Sequence, residues 1–205
     1  MTATAIGSYA TAALLKSRLG VTDTTDDTAL TSICDQVNAY IEGPQACGRV
    51  IAPVASTAIK LDGDGTRTLH FPPGIRTVSL LELADYTGAA YATVAATDYF
   101  LRPGPATLAP GWPYTRLVLS DHPAGTHWVF PVGMDTVRMT ATTGFAAIPD
   151  DITDVALTAA TRAWHSVESA QTDIVGTDDM GRPMVSRFFS SRDLGTLRAY
   201  SVNIP

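Results

Sequence analysis

The sequence predicts an α+β fold: a small helical bundle of two N-terminal helices plus one long helix, with an inserted antiparallel β region and an extended C-terminal arm. Three observations predict it. Apolar residues recur at three- and four-residue steps before residue 50 and again after residue 150. Between them, from Val54, the period changes to two and turn dipeptides recur. Strands and helices do not alternate along the chain, which argues against a parallel sheet. The segments are 1–50 for the N-terminal helices, 51–145 for the β region, 146–171 for the long helix and 172–205 for the arm.

The stretch "TAALLKSRLG", residues 11–20, predicts a short helix with Leu14, Leu15 and Leu19 inward and Gly20 at its C-terminal cap. In "VTDTTDDTAL", Thr24 or Thr25 can cap a second helix, with Asp26 and Asp27 in its first turn, where negative charge suits the macrodipole. Leu30, Ile33, Cys34, Val37 and Ile41 make one apolar stripe, and Gly43-Pro44 ends the helix.

"AIKLDGDGTRTLHF" predicts a hairpin, because Asp62-Gly63-Asp64-Gly65 can supply the positive φ angles of a tight turn. Further strands are expected at Arg76 to Ala84, Thr93 to Leu101, Thr115 to Ser120 and Asp135 to Thr142. In the last, Val137, Met139 and Ala141 alternate with Thr136, Arg138 and Thr140, so one face is buried and the other wet.

A third helix is expected from about Asp151 to Ser169, with Pro149 at or just before its first position and Asp150 or Asp151 as N-cap. Capping accounts for that acid pair, since adjacent helical residues do not face one substrate. Two apolar stripes run along the helix: Ile152, Val155, Ala156, Ala159 and Ala163 on one, and Leu157, Ala160, Trp164 and Val167 on the other. So wide an arc implies more than one packing partner, either other helices of this chain or a neighbouring subunit. Residues 172–191 read as an arm or linker and 192–200 as a helical turn or two, with Phe188, Phe189, Leu194, Leu197 and Tyr200 available as anchors.

The residues that could carry chemistry do not assemble into a motif. His70, His122, His127 and His165 lack HExxH spacing, and no GxSxG, Walker or GxGxxG segment is present. Asp62 and Asp64 resemble the start of a calcium loop, but Arg67 stands where that loop requires glycine and Pro73 where it requires glutamate. Cys34 and Cys47, the two cysteines, have no zinc-spaced partners and read as buried thiols or one disulfide. No enzymatic activity, metal or cofactor is expected.

With 20 acidic against 14 basic residues and a net charge of −6, the chain is not built to grip nucleic acid; Lys16 and Lys60 are its two lysines. No apolar run approaches a membrane span, and the N-terminus lacks a signal-peptide pattern, so a soluble cytosolic product is expected. Trp112, Tyr114, Trp128 and Phe130 could form a sugar or base platform, or close a sheet end against a partner chain.

Three longer stretches resemble the head-to-tail connector proteins of tailed bacteriophages, also called adaptor or head completion proteins. They are "YATAALLKSRLGVTDTTDDTALTSICDQVNAYIEG", "LHFPPGIRTVSLLELADYTGAAYATVAATDYFLRPG" and "DTVRMTATTGFAAIPDDITDVALTAATRAW", in that order. "IEGPQACGRV" departs from the more continuous helix exit of that family. The resemblance implies a structural virion protein at the neck, made in the host cytoplasm. Its copies, commonly twelve, would form a ring beneath the portal, extend the DNA channel and dock a stopper or tail protein, while genomic DNA passes without specific binding.

On this reading Leu157, Ala160, Trp164 and Val167 pack between subunits, and Phe188, Phe189, Leu194, Leu197 and Tyr200 become ordered on meeting the portal or a neighbour. The rival readings are another neck or tail-completion ring, such as a stopper, and a carbohydrate-binding module using the 112–130 aromatics.

Overall fold

The computed structural model describes residues 7–84, 90–103, 111–121, 128–168, 174–177, 183–185 and 188–201. The chain divides into two compact units, one made of 1–51 and 148–203, the other of 52–147. The architecture is the expected α+β one, a helical unit into which an antiparallel sheet is inserted.

In the helical unit, α1 (Ala12–Leu19) starts at Thr11, whose hydroxyl accepts from the Leu14 amide at 3.3 Å, and ends at Gly20, left-handed at φ 72°. Glycine carries that φ without the Cβ penalty. Leu15 is fully buried and Leu19 half-buried, but Leu14, expected inward, is exposed. Eight residues make about two turns, and one inward line is all so short a helix can bury.

The second helix, α2 (Asp27–Glu42), buries Leu30, Ile33, Cys34, Val37 and Ile41 as the stripe predicts. Its N-cap is Asp26, not Thr24 or Thr25, and no side chain caps it. The approach to the helix is shaped instead by Asp23, whose carboxylate accepts from the Thr25 amide at 3.1 Å, and by Lys16, which pairs with Asp27 at 2.5 Å.

Asn38, buried on α2, clamps the segment before α1: its Oδ1 accepts from the Ala10 amide at 2.8 Å and its Nδ2 donates to the Ala10 carbonyl at 2.9 Å. Asn38→Leu strands both backbone groups in an apolar setting. We expect a loss of about 2–3 kcal/mol in urea unfolding, more than a single surface hydrogen bond is worth.

The third helix, α3 (Asp150–Glu168), begins one residue early, and neither aspartate is its N-cap. Pro149 takes that place, its carbonyl accepting from the Ile152 amide at 3.1 Å and the Thr153 amide at 3.2 Å. Asp150 and Asp151 lie in the first turn, still favourable to the helix dipole.

Within the arm, Ile174–Thr177 (β7) and Pro183–Val185 (β8) pair antiparallel as a separate two-stranded sheet, and Ser191–Ala199 forms a full helix, α4. Residues 172–191 therefore contain strands where a linker was expected.

The sheet of the other unit has the order β1-β6-β2-β5-β4, with β3 at the end of β2. Its strands are Val54–Gly63 (β1), Thr68–Ala84 (β2), Tyr91–Thr93 (β3), Tyr99–Arg102 (β4), Tyr114–Leu119 (β5) and Gly133–Thr143 (β6). The expected hairpin of β1 with β2 does not form. The chain turns at Asp62–Gly65 as anticipated, with Asp64 accepting from the Thr66 amide at 2.9 Å and Gly65 at φ 79°, but β6 lies between the two strands.

Met139 of β6 is flanked by Ile59 on one side and Leu81 on the other, and Val137 by Leu61 and Leu83. The strand with the cleanest apolar alternation takes an interior position between β1 and β2, and local turn chemistry does not outweigh that burial. Thr93 to Leu101 is likewise two strands, because the chain turns at the Asp98 amide to Ala95 carbonyl bond of 2.9 Å.

Strand β2 runs through Pro72-Pro73-Gly74. It pairs with β5 at Thr68–His70 and again at Ile75, and with β6 from Ile75 onward; the register with β5 shifts across the prolines, which have no amide to donate. The core beneath is built from Leu69, Phe71, Ile75, Leu81, Leu117 and Phe130 together with the inward residues of β6.

Candidate interaction surface of the helical unit

The buried stripe of α2 faces α3, and α4 closes against both. Three features fasten α4. Ser190 and Asp193 form a reciprocal capping box, the Asp193 amide donating to Ser190 Oγ at 3.2 Å and the Ser190 amide to Asp193 Oδ2 at 2.8 Å. Arg162 of α3 pairs with the same carboxylate at 2.6 Å and donates to the Phe188 carbonyl at 3.1 Å. Phe189 stacks on Tyr40 of α2 with ring centroids 4.5 Å apart and planes 15° from parallel.

Burial pushes the Asp193 carboxyl up, but the Ser190 amide and Arg162 outweigh it and hold the group below the usual carboxylate range. A depressed pKa makes this contribution present above the unfolded-state value and lost as pH falls through the folded one, so the fastening of α4 weakens in acid.

The far end of α4 meets α3 through Tyr200, whose hydroxyl donates to both carboxylate oxygens of Asp151 at 2.9 Å. Asp151 Oδ1 also accepts from the Ile152 amide at 2.9 Å. Both acids at the start of α3 are exposed, and Asp151 is the one that ties the C-terminal helix down.

Leu197 is fully buried, and its carbonyl accepts from Cys47 Sγ at 3.3 Å. Cys34 and Cys47 are both free and buried, so they do not form a disulfide. Desolvation raises the Cys47 thiol to about 12 and the Cys34 thiol to about 11, from 9.0. It also raises Tyr200, with help from Asp151, to about 12.

These groups hold their protons more tightly when folded. Their stabilising effect is complete below the unfolded pKa values and disappears as pH rises through 11 to 12. Thiol titration at pH 8 should find Cys34 on the order of 100-fold and Cys47 on the order of 1,000-fold slower to react in native protein than in urea. Equal rates would show that the helical unit opens readily.

Between α2, α3 and α4 an apolar groove of about 490 Å³ remains, lined by Ile33, Gln36, Val37, Tyr40, Ala163, Phe188, Phe189 and Leu194. The five arm residues expected to reach a partner are therefore divided. Phe189 and Leu197 pack inside their own chain, Leu194 and Tyr200 are half-buried, and Phe188 stands 46% exposed at the groove. The arm helix does not wait for a partner to cover its anchors, because α2 and α3 already do so.

The second stripe of α3 divides in the same way. Ala160 and Trp164 are buried within the chain, Leu157 is half-buried, and Val167 is 62% exposed. Sequence reasoning missed the α2 wall of the groove. Tyr40 continues the stripe of Ile33 and Val37 and was the available signal.

Elsewhere, His70 and His165 are exposed, while His122 and His127 lie outside the described residues. Asp62 accepts from the Asp135 amide at 2.8 Å, so with Asp64 it serves turns. Among the described residues no His, Cys, Asp or Glu side chains gather in a metal-holding group, and no helix is long and apolar enough to cross a membrane. Of the loop aromatics, Phe130 is wholly buried, which removes it from an open sugar platform, while Trp112 packs edge-on against Phe145 at 5.2 Å and stays partly exposed.

No family model and no curated protein matches the chain. Solved structures do, among them two from gene transfer agent particles. One is described as "Neck of empty GTA particle computed with C6 symmetry", with a TM-score of 0.58 and 20% identity over 98% of this chain and 95% of that one. The other is "Virion of native gene transfer agent (GTA) particle", with a TM-score of 0.57 and 20% identity over 99% of this chain and 95% of that one. The chain shares its fold with both. The likeness takes in the helical unit, the inserted sheet and the C-terminal segment together, since almost nothing of either chain is left over.

Proposed function

We propose that this protein is a structural, non-enzymatic subunit of the neck of a tailed-phage-like virion. In this reading it is a head-to-tail adaptor whose copies, twelve in number, form a ring beneath the portal, continue the DNA channel and offer a docking surface to the stopper or tail protein. The observation that carries the reading is end-to-end similarity of fold to a chain in a gene transfer agent neck. The six-fold symmetry named for that neck is one that a ring of six or twelve obeys.

Two properties of this chain support it independently. Apolar surface is left open at Phe188, Val167 and the groove, on a unit whose core is already complete, as a subunit awaiting neighbours requires. The helical unit, 1–51 with 148–203, carries 13 acidic against 8 basic residues, and a wall of that sign lets DNA slide past without neutralising its phosphates.

Negative-stain imaging of the protein mixed with portal rings from the same particle tests the proposal. A second ring stacked coaxially on the portal is expected, and Phe188→Ser should weaken the stacking while leaving the thermal midpoint unchanged. Portals that stay bare at every protein concentration would overturn it. Deleting residues 186–205 is a poorer test, because it also removes Phe189 and Leu197 from the subunit's own core.

A further inference from the structure

The β unit carries a projecting apolar knuckle at residues 128–134, "WVFPVGM", of which its own core uses Phe130 and leaves Trp128, Val129, Val132 and Met134 outside. Val132 is 78% and Met134 86% exposed, with Trp128 and Val129 also open to solvent. The knuckle is nevertheless held rigidly. Phe130 is buried at its root, its amide donating to the Thr66 carbonyl at 2.8 Å and its carbonyl accepting from the Gly65 amide at 3.0 Å.

Thr136 Oγ1 donates to the Pro131 carbonyl at 2.7 Å and accepts from the Gly63 amide at 3.0 Å. Asp135, at φ 55°, follows Met134; its amide is held by Asp62 and its carboxylate by Lys60 at 3.4 Å. A loop pinned at so many points has little conformational entropy left to lose when it docks, so burial of Val132 and Met134 would go into affinity.

We propose that Val132 and Met134 of one copy insert into the groove between α2, α3 and α4 of the next copy, with the Met134 thioether against the Tyr40 and Phe188 rings. This deepens the ring reading above and rests on it. Three observations select this occupant. Thioether sulfur packs favourably against aromatic rings, and the groove has three of them, Tyr40, Phe188 and Phe189. Knuckle and groove lie in different units of every chain, so a copy can give its knuckle to one neighbour and take another's in its groove, the head-to-tail arrangement from which closed rings are built.

Charge decides between pairings. A groove-to-groove contact would bring together two helical units with 13 acidic and 8 basic residues each, whereas the β unit, 52–147, has 7 acidic against 6 basic and approaches without that repulsion. Two inserted side chains act as the anchor of an interface whose remaining area comes from around them.

The test uses the full-length protein with a benzophenone amino acid at position 134, in an equimolar mixture of isotope-labelled and unlabelled copies assembled on portal rings. Adducts between a labelled position 134 and unlabelled peptides spanning 33–40 or 188–194 are expected. Adducts only within one copy, only with another protein, on other peptides, or none at all would overturn the contact.

A second arm separates this contact from the ring itself. Val132→Ser with Met134→Ser, and separately Phe188→Glu, alter exposed positions and should leave the thermal midpoint in place while abolishing rings. Their equimolar mixture should form dimers, through the one intact knuckle and the one intact groove, and no closed ring. Intact rings from the serine variant would sink the contact and spare the ring reading; wild-type protein that forms no ring on portals would sink both.

Discussion

Gly63→Val lowers the stability of the β unit by more than about 4 kcal/mol in urea unfolding, a loss of the exceptional class that needs a specific mechanism. The mechanism is steric. A Cβ at Gly63 would lie 1.9 Å from the Pro131 carbonyl oxygen and 2.7 Å from Thr136 Oγ1. Neither can withdraw cheaply, because Thr136 Oγ1 binds both the Gly63 amide and that same carbonyl, and the carbonyl belongs to the root of the knuckle. Relief requires β1 and the 130–136 segment to separate, which exposes Phe130.

Gly195→Ala is the contrasting control. A methyl group at Gly195 on α4 would meet nothing within 4 Å, and alanine there should raise stability by about 0.5–1 kcal/mol. If both variants behaved alike, glycine content and not the Gly63 contact would be responsible.

Phe189→Ala costs about 3–4 kcal/mol. Loss of a buried phenylalanine accounts for most of it, and the parallel stack on Tyr40 adds to the transfer and cavity terms. The effect is local in origin: α4 loses its main apolar attachment, keeping the Arg162–Asp193 pair, the Tyr200–Asp151 bond and Leu197. Hydrogen exchange at 191–199 should therefore accelerate before the rest of the helical unit responds, and the groove should lose one wall. Phe188→Ala, next in sequence but half-exposed, should stay within about 0.5 kcal/mol of the parent. A Phe188 variant that destabilised as much as Phe189→Ala would mean that the two rings exchange places.

The contrast between these neighbouring phenylalanines shows what could be read in the chain and what could not. Both belong to one aromatic cluster in a polar segment, and nothing in the pattern distinguishes the ring that fills its own subunit's core from the ring that stays outside. The same limit applies to Trp164 and Val167 on α3, three residues apart on one apolar stripe. One is buried and the other exposed, because α3 is covered along only part of its length.

For the candidate groove, the α3 and arm residues were visible as apolar positions, as were Ile33 and Val37 on the α2 stripe, whereas Tyr40 was not read as part of that stripe. Their meeting around one cavity was not visible, since it depends on α4 folding back.

What the sequence determined by itself was local. Apolar spacing, the glycine after Leu19 and the change of period at Val54 established which segments are helical and which extended. The stripe of α2 named its buried residues correctly, as the alternation of β6 did Val137, Met139 and Ala141, because period and side-chain direction are set by the backbone geometry of one segment; Thr136, expected on the wet face, is buried where its hydroxyl bonds the Pro131 carbonyl and the Gly63 amide. Tertiary structure alone decided which faces meet. The Asp62–Gly65 turn reverses the chain, yet β1 and β2 flank β6 instead of pairing, and α4 spends Phe189 and Leu197 on its own subunit. Those outcomes rest on comparing the burial gained in alternative long-range pairings, a quantity no single stretch of the chain contains.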